Sequence, residues 1–512
     1  MPTLRPALAL TLLVGLAACA QLQPRPELPS ETAIPAGEGT EVDGIIASAE
    51  ARHPGASAFR LLREGTEAFV LRARSARLAG RSLDVQTYIW HPDLTGAFLA
   101  LRLVEAADRG VKVRLLVDDM DARSKNMGFA ALAAHRNISV RMFNPFASRT
   151  GTMSLVGEGL TSFGRINHRM HNKTWIADNR IAIVGGRNLG DEYFGASDEV
   201  NFVDLDFAMI GPIVRDASAS FDRYWNSPAA YPMELLDPAG VNAAALEALR
   251  TQLADGLKDV GTSRYADILR ADDAVQRLVS GDWPMEWSDR YHFASDDPLK
   301  ATMREDDPAR SQVVQILAQM LGSMQTELAV ISPYFVPGEQ VTQSWVNAVK
   351  DGKRVRVLTN SLIANDVAAV HGGYVRYRRP LVEGGVQVWE LKPLPGSNVE
   401  SSLFGSSGAS LHTKALAVDG RALFVGSYNL DPRSTWLNCE QGVMVESPVL
   451  ARQLEAIFAE QSSPEHAWQV TLVDGELRWG DGNETFDRDP KASAWQRFQA
   501  WIARVLHLDA QL

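Results

Sequence analysis

Short apolar runs, each closed by polar or glycine-containing turns, recur along the chain with helical patterns between them. Ser82–Ile89, Val111–Val117 and Val140–Phe143 are rich in Val, Ile and Leu over stretches too short for a helix, and read as buried strands. Ala97–Ala107, lying between the first two, repeats its apolar residues at helical spacing. The same succession returns later: Glu327–Tyr334, Lys353–Thr359 and Val386–Trp389 as strands, with Val341–Val349 as a helix. Thr174–Ala177 with Arg180–Val184, and Ala415–Val418 with Ala422–Val425, read as two strand hairpins. Strands alternating with helices predict an α/β fold of two similar lobes, each a largely buried, mixed β-sheet flanked by helices.

The recurrence is a true internal repeat. His171, Lys173, Asp178, Arg180, Val184, Gly185 and Asn188 come back as His412, Lys414, Asp419, Arg421, Val425, Gly426 and Asn429, all at an offset of 241 residues. This divides the chain into lobe 1 over 46–235 and lobe 2 over 305–470. A connector with Trp283 and Trp287 covers 236–304, and a C-terminal segment covers 471–512. In that last segment Trp495, Phe498, Ile502 and Val505 share one helical face. The expectation is a helix packed on a lobe through that face, with contact to a membrane as the alternative.

The first residues follow another logic. Arg5, the apolar run Ala7–Leu16 and the small residues Ala17 and Ala18 have the layout of a signal peptide over 1–18, too short for a comfortable span. Leu16-Ala17-Ala18-Cys19 resembles a bacterial lipoprotein signal, which implies lipidation of Cys19 and attachment to a membrane surface. Ala20 stands where an Asp would retain such a protein at the inner membrane. The expected address is therefore the periplasmic face, at the outer membrane rather than the inner. Residues 19–45, rich in Pro, Glu, Gly and Ala without hydrophobic period, read as a flexible tether.

With 512 residues, 46% hydrophobic, the chain can bury two cores. A net charge of −11 argues against a protein that wraps nucleic acid, and no nucleic-acid partner is expected. Cys439 reads as a small buried hydrophobe. His168 and His171 are spaced like a metal pair on a helix, but they fall in a loop and no carboxylate or thiolate set completes them, so no metal is expected. There is no Gly-x-Ser-x-Gly elbow and no Walker lysine loop.

The repeated unit itself suggests a chemistry. In an extended strand, the His and Lys of His-x-Lys emerge on the same side. An imidazole beside an ammonium suits a phosphate ester: the lysine holds anionic oxygen while the imidazole attacks phosphorus or moves a proton. Asn188 and Asn429, after glycine turns that let backbone approach closely, add phosphate-binding amides alongside Lys173 and Lys414.

Two copies of His-x-Lys-x4-Asp-x6-Gly-Gly/Ser-x-Asn resemble the phospholipase D superfamily. Arg165–Lys173, Val85–Trp90, Leu116–Asp119, Asp191–Phe194, Thr359–Leu362, Asp366–His371 and Asn429–Ser434 bring the likeness closest to bacterial C-type cardiolipin synthases and related phospholipase D-like lipoproteins. The resemblance implies two phospholipase D-type lobes packed pseudo-symmetrically around one active site. It also implies a phosphatidyltransferase or phosphodiesterase acting on phospholipids without cofactor or metal. The catalytic set is then His171, Lys173, Asp178, His412, Lys414 and Asp419, with the two aspartates read as shaping the strands. His171 is assigned as nucleophile and His412 as general acid/base, with Asp204 and Glu440 orienting the histidines; which carboxylate serves which histidine stays open. The acceptor, an alcohol for synthesis or water for hydrolysis to phosphatidic acid, also stays open, and a nuclease of the same superfamily is the remote alternative. Both motifs lie in one chain, so a monomer is expected.

Overall fold

A computed structural model describes residues 22, 24–122, 128–147, 164–301, 311–365, 367–393 and 411–505. Lobe 1 holds β1 (Ser57–Leu62), β2 (Ser82–Thr87), β3 (Lys112–Asp118), β4 (Ile138–Phe143), β5 (Thr174–Ala177), β6 (Ile181–Gly185), β7 (Asp206–Ile210), β8 (Ala230–Pro232) and β9 (Glu286–Ser288), in the order β8-β4-β3-β2-β5-β6-β7-β1-β9. Lobe 2 holds β10 (Tyr291–Ser295), β11 (Glu327–Ile331), β12 (Arg354–Asn360), β13 (Gln387–Leu391), β14 (Ala415–Val418), β15 (Ala422–Gly426), β16 (Gln441–Glu446), β17 (Ala467–Val473), β18 (Glu476–Gly480) and β19 (Thr485–Phe486). Its order is β10-β16-β15-β14-β11-β12-β13-β17-β18-β19. The six central strands β4-β3-β2-β5-β6-β7 therefore reappear as β13-β12-β11-β14-β15-β16. In both sheets the strands before the motif hairpin run parallel and the hairpin runs antiparallel to them.

Side chains along the motif hairpins obey a period of two, with both phases apolar. Ile181 and Ile183 of β6 face the outer core of lobe 1, whereas Ala182 and Val184 face a core shared with lobe 2. Leu423 and Val425 of β15 enter the same shared core, and Ala422 and Phe424 turn outward. Burial on both faces is why the runs read as continuously hydrophobic. The helices Ile213–Asn226 and Pro448–Gln461 complete the shared core with Phe221, Trp225, Leu454 and Phe458.

Two segments differ from the sequence reading. The stretch expected as a tether, from residue 24 on, lies along lobe 1. Arg25 Nε donates to Ala230 O at 2.7 Å, Ala33 N to Asp222 Oδ2 at 2.8 Å, and Glu31 pairs with Arg141 at 2.8 Å. Its anchors are polar and far away in sequence, so no hydrophobic period announces them. The connector 236–304 gives one strand to each sheet, β9 beside β1 and β10 beside β16. Residues beyond 470 continue the second sheet through β18 and β19 before the helix Ala494–Val505.

The motif aspartates are turn clamps. Asp178 has φ +53° and Asp419 φ +55°, a left-handed conformation that Asp adopts more readily than most residues. The Asp178 carboxylate accepts from the backbone N–H groups of Gly80, Arg81 and Ser82 at 2.8–3.0 Å, pinning the β5–β6 hairpin to the start of β2. Asp419 does the same with Gln325, Thr326 and Glu327 at the start of β11. Burial works against the Asp419 charge, but these donors hold its carboxyl below the ordinary value. Asp178 follows His171 by seven residues of near-extended chain, roughly 20 Å, too far to act in its chemistry. Asp178→Ala leaves three backbone donors without their acceptor and should destabilise the fold by about 2–4 kcal/mol. Denaturant unfolding measures this, and Asp178→Asn should recover part of the loss.

Candidate active site

Each motif histidine sits in the short segment just ahead of a central strand, and that segment is fixed before the ring is placed. Asp118, at the end of β3, accepts from Met170 N at 2.9 Å and pairs with the buried Arg169 at 3.3 Å. At the corresponding end of β12, Asn360 exchanges two hydrogen bonds with the backbone of Leu411. Met170 and Leu411 immediately precede His171 and His412. Asp118 and Asn360 therefore position the motif segments, a role that sequence reasoning missed although both stand in the motifs that carry the resemblance.

The segments then cross between lobes. His171 N donates to Cys439 O at 2.9 Å, Cys439 N to Arg169 O at 2.8 Å, and His412 N to Val203 O at 2.8 Å. Cys439 precedes Glu440, and Val203 precedes Asp204. Each histidine is thereby delivered to the carboxylate of the opposite lobe: His171 Nδ1 lies 2.9 Å from Glu440 Oε2, and His412 Nδ1 2.6 Å from Asp204 Oδ2. This answers the pairing left open by the sequence. Both carboxylates are fully buried. A proton on Nδ1, donated to the carboxylate, leaves the lone pair on Nε2 of each ring. Lys173 Nζ and Lys414 Nζ each reach back to the carbonyl of their own motif histidine, at 2.5 Å in both lobes. Aromatic rings wall the histidines: Tyr88 stands edge-on to His171, Tyr193 edge-on to His412, and Phe202 stacks on His412.

Burial governs the electrostatics. It pushes His171 down to about 4, with the nearby Lys173 adding to the effect and Glu440 opposing it. His412 is also held well below the ordinary imidazole value, by burial first and then by Lys414, Lys173 and His171. The cross-lobe pairs His171–Glu440 and His412–Asp204 join the two motifs in one site. Lys173 is itself lowered by burial. The two carboxylates differ. Glu440 stays below its ordinary value in spite of burial, because His171, Lys173 and a hydrogen bond from Ser427 Oγ favour its charge. Asp204 is raised by burial. The counterpart of Ser427 is Gly186, where a Cβ would come within 2.2 Å of Asp204 Oδ1. The glycine turn expected to admit phosphate thus makes room for a carboxylate.

The remaining expected residues are distributed unevenly. Asn188 spends its amide internally, donating from Nδ2 to Tyr193 OH at 2.9 Å and accepting at Oδ1 from Ile89 N at 3.2 Å. Buried Asn429 Oδ1 has no hydrogen-bond partner among the described residues. His168 turns Nδ1 to Leu437 O of the other lobe at 3.0 Å. Cys439 is buried and free, and burial pushes its thiol up to about 12, which suits packing rather than attack. Cys19 lies outside the described residues. Among those described, His91, Asp93 and Glu192 bring three donor atoms within 4.8 Å of one another. Both oxygens of Asp93, however, accept backbone N–H groups, from Gly96 and Asp191, and His91 lies against Glu192 and Asp121. The cluster reads as a helix cap, with burial and the adjacent Asp191 raising Asp93 to about 7.

Comparison with known proteins agrees with this geometry. The family model described as "Cardiolipin synthase, PLD-like domain" matches residues 74–225 and 317–462, one match per lobe. The chain is 38% identical over 468 residues to cardiolipin synthase C of Escherichia coli (strain K12), spanning 90% of this chain and 97% of that one. It is 24% identical over 451 residues to a cardiolipin synthase of Staphylococcus aureus (strain Mu50), spanning 87% and 72%. The crystal structure of phosphatidylserine synthase from Haemophilus influenzae Rd KW20 superposes with a TM-score of 0.56 at 13% identity, over 91% of this chain and 97% of that one, which shows a shared fold. With one matched domain in each lobe and the two His-x-Lys segments joined in a single buried site, the chain belongs to the phospholipase D superfamily as a cardiolipin synthase-like enzyme.

Proposed function

We propose that this enzyme makes cardiolipin by moving a phosphatidyl group from phosphatidylethanolamine or phosphatidylglycerol to the hydroxyl of a second phosphatidylglycerol. The observation that carries the reading is the reciprocal pairing of His171 with Glu440 and His412 with Asp204 across the lobe interface. It supplies two neutral imidazoles, each with Nε2 as its base, beside two lysines. His171 Nε2 attacks phosphorus, and the bond from phosphorus to the leaving alcohol breaks as His412 gives that oxygen a proton. The acceptor hydroxyl then passes its proton to His412 and attacks phosphorus, and the phosphorus–nitrogen bond breaks. Lys173 and Lys414 supply the positive charge that the phosphoryl oxygens need.

His171 is favoured as nucleophile because Glu440, the carboxylate kept ionised, stabilises the positive charge that the ring acquires on forming the bond to phosphorus. His412 must carry a proton for the first step, yet it is neutral in the free site. A bound phosphodiester opposes the field of the two lysines and so favours that proton when substrate is present. We propose further that lipidation at Cys19 holds the enzyme at a periplasmic membrane surface, where its substrates are concentrated. The same intermediate would yield phosphatidic acid if water reached it, so exclusion of water decides between synthesis and hydrolysis.

Purified enzyme on phosphatidylglycerol vesicles, with and without phosphatidylethanolamine, should yield cardiolipin in a lipid-product assay; phosphatidic acid alone would favour hydrolysis. His171→Ala and His412→Ala should each lower turnover by about a thousandfold or more, and full activity in either would sink the two-motif mechanism. Because His171 is lowered to about 4, it keeps its lone pair as the pH falls past the ordinary imidazole range. An NMR titration of the His171 ring in the free enzyme should therefore show it neutral down to near pH 4; a midpoint at about 6.5 would contradict a buried, neutral nucleophile.

A further inference from the structure

The C-terminal helix Ala494–Val505 packs on lobe 2, but with the face opposite to the one its hydrophobicity suggests. Gln496, Gln499, Ala500 and Ala503 are buried, whereas Trp495, Phe498 and Trp501 are 62%, 46% and 51% exposed. Every exposed Trp or Phe among the described residues is on this helix. The three rings form a ridge, Trp495 tilted against Phe498 and Phe498 stacked on Trp501, with centroids 5.6 and 6.1 Å apart, and exposed Val505 lies beyond them.

The helix is seated firmly. A Cβ on Gly372, in the helix Ala368–Glu383, would come within 2.6 Å of Ala500 O and 3.0 Å of the Ala503 side chain, so the two backbones meet where only glycine fits. Asp489, just ahead of the helix, pairs with Arg378 at 2.8 Å and His371 at 3.1 Å, and Arg376 donates to Arg504 O at 2.7 Å.

Its seat also adjoins the catalytic end of lobe 2. Ala492 and Ala500 share a buried cluster with Leu362, and Ala503 shares one with Val336, Val367 and Val370. Leu362 is two residues from Asn360, which holds Leu411 next to His412, and Val336 N donates to Leu430 O next to Asn429. The charge is suited to an anionic surface. In a chain of net charge −11, the helix carries Arg497 and Arg504 and no acid. A cleft at its N-terminal side is lined by Arg478, Arg488, Lys491 and Arg497 against Asp487 and Asp489.

We infer that the Trp495–Phe498–Trp501 ridge is a membrane-docking surface that seats the catalytic end of lobe 2 on an anionic phospholipid bilayer. Tryptophan and phenylalanine beside arginine are the residues that settle at the boundary between headgroups and acyl chains. Pairing with a second copy through the same ridge would instead set Arg497 and Arg504 of one chain near those of the other. The inference deepens the proposed action on phospholipids and rests on it for its purpose.

The test uses the full chain carrying Cys19→Ser, so that no N-terminal lipid contributes. In flotation it should bind phosphatidylcholine vesicles that contain phosphatidylglycerol better than vesicles that do not, with binding weakened by salt. Trp495→Ala/Phe498→Ala/Trp501→Ala should reduce binding about tenfold or more, whereas Leu472→Ala/Val473→Ala, exposed elsewhere, should not. Brominated lipids should quench tryptophan fluorescence in this chain but not in Trp495→Phe/Trp501→Phe, which keeps the ridge aromatic if the alanine variant fails to fold. Unchanged flotation of the alanine variant, unchanged quenching in the phenylalanine variant, or a lipid-free dimer that the alanine substitutions dissociate would each overturn the inference. Phosphatidyl transfer, assayed separately on dispersed short-chain phospholipid, should survive the ridge substitutions. Intact ridge-dependent binding with no transfer in any variant would defeat the proposed activity alone.

Discussion

Everything in the site depends on an exchange of carboxylates between lobes. Neither lobe holds its own histidine: Glu440 of lobe 2 takes His171, and Asp204 of lobe 1 takes His412. The exchange is enforced by backbone, since His171 N and His412 N are bonded to the carbonyls just ahead of the opposite carboxylates. Ring orientation, tautomer and lobe packing thus form one cooperative arrangement, and a shift of one lobe against the other would unmake both pairs together. The shared apolar core, to which the motif hairpins of both lobes contribute, opposes such a shift.

The price of this arrangement is desolvation. Two imidazoles, two carboxylates and two lysines lie together in a largely buried site, where isolated charge is unfavourable. The free site answers by keeping the imidazoles neutral and depressing Lys173. In the proposed reaction a bound phosphodiester would bring negative charge to the two motif lysines.

The repeat is symmetric in topology and asymmetric beside its two buried carboxylates. Ser427 donates to Glu440, while its counterpart Gly186 leaves space for Asp204. Asn188 is consumed by Tyr193 and Ile89, while Asn429 Oδ1 is not bonded among the described residues. A unit repeated within one chain can in this way hold its two carboxylates differently, because small changes beside a buried carboxylate alter how well its charge is supported.

The sequence by itself determined the doubled α/β unit, the motif residues and the structural reading of Asp178 and Asp419. Those features are local: a strand buried on both faces is apolar at every position, and a repeat is visible as a constant offset. It also carried Asp118, Asn360 and Ser427 in plain view without assigning them work, because each acts on a residue distant in sequence, or on a carboxylate whose partner is. Only the tertiary structure decided which carboxylate serves which histidine, since Asp204 and Glu440 lie 208 and 269 residues from their partners. It alone laid the N-terminal segment along lobe 1 and shared the connector between two sheets. It also turned the aromatic face of the last helix outward, because the close approach at Gly372 admits Ala500 and Ala503 and leaves no room for tryptophan. Periodicity reveals that a helix has two faces; which face is covered depends on the shape of what it meets.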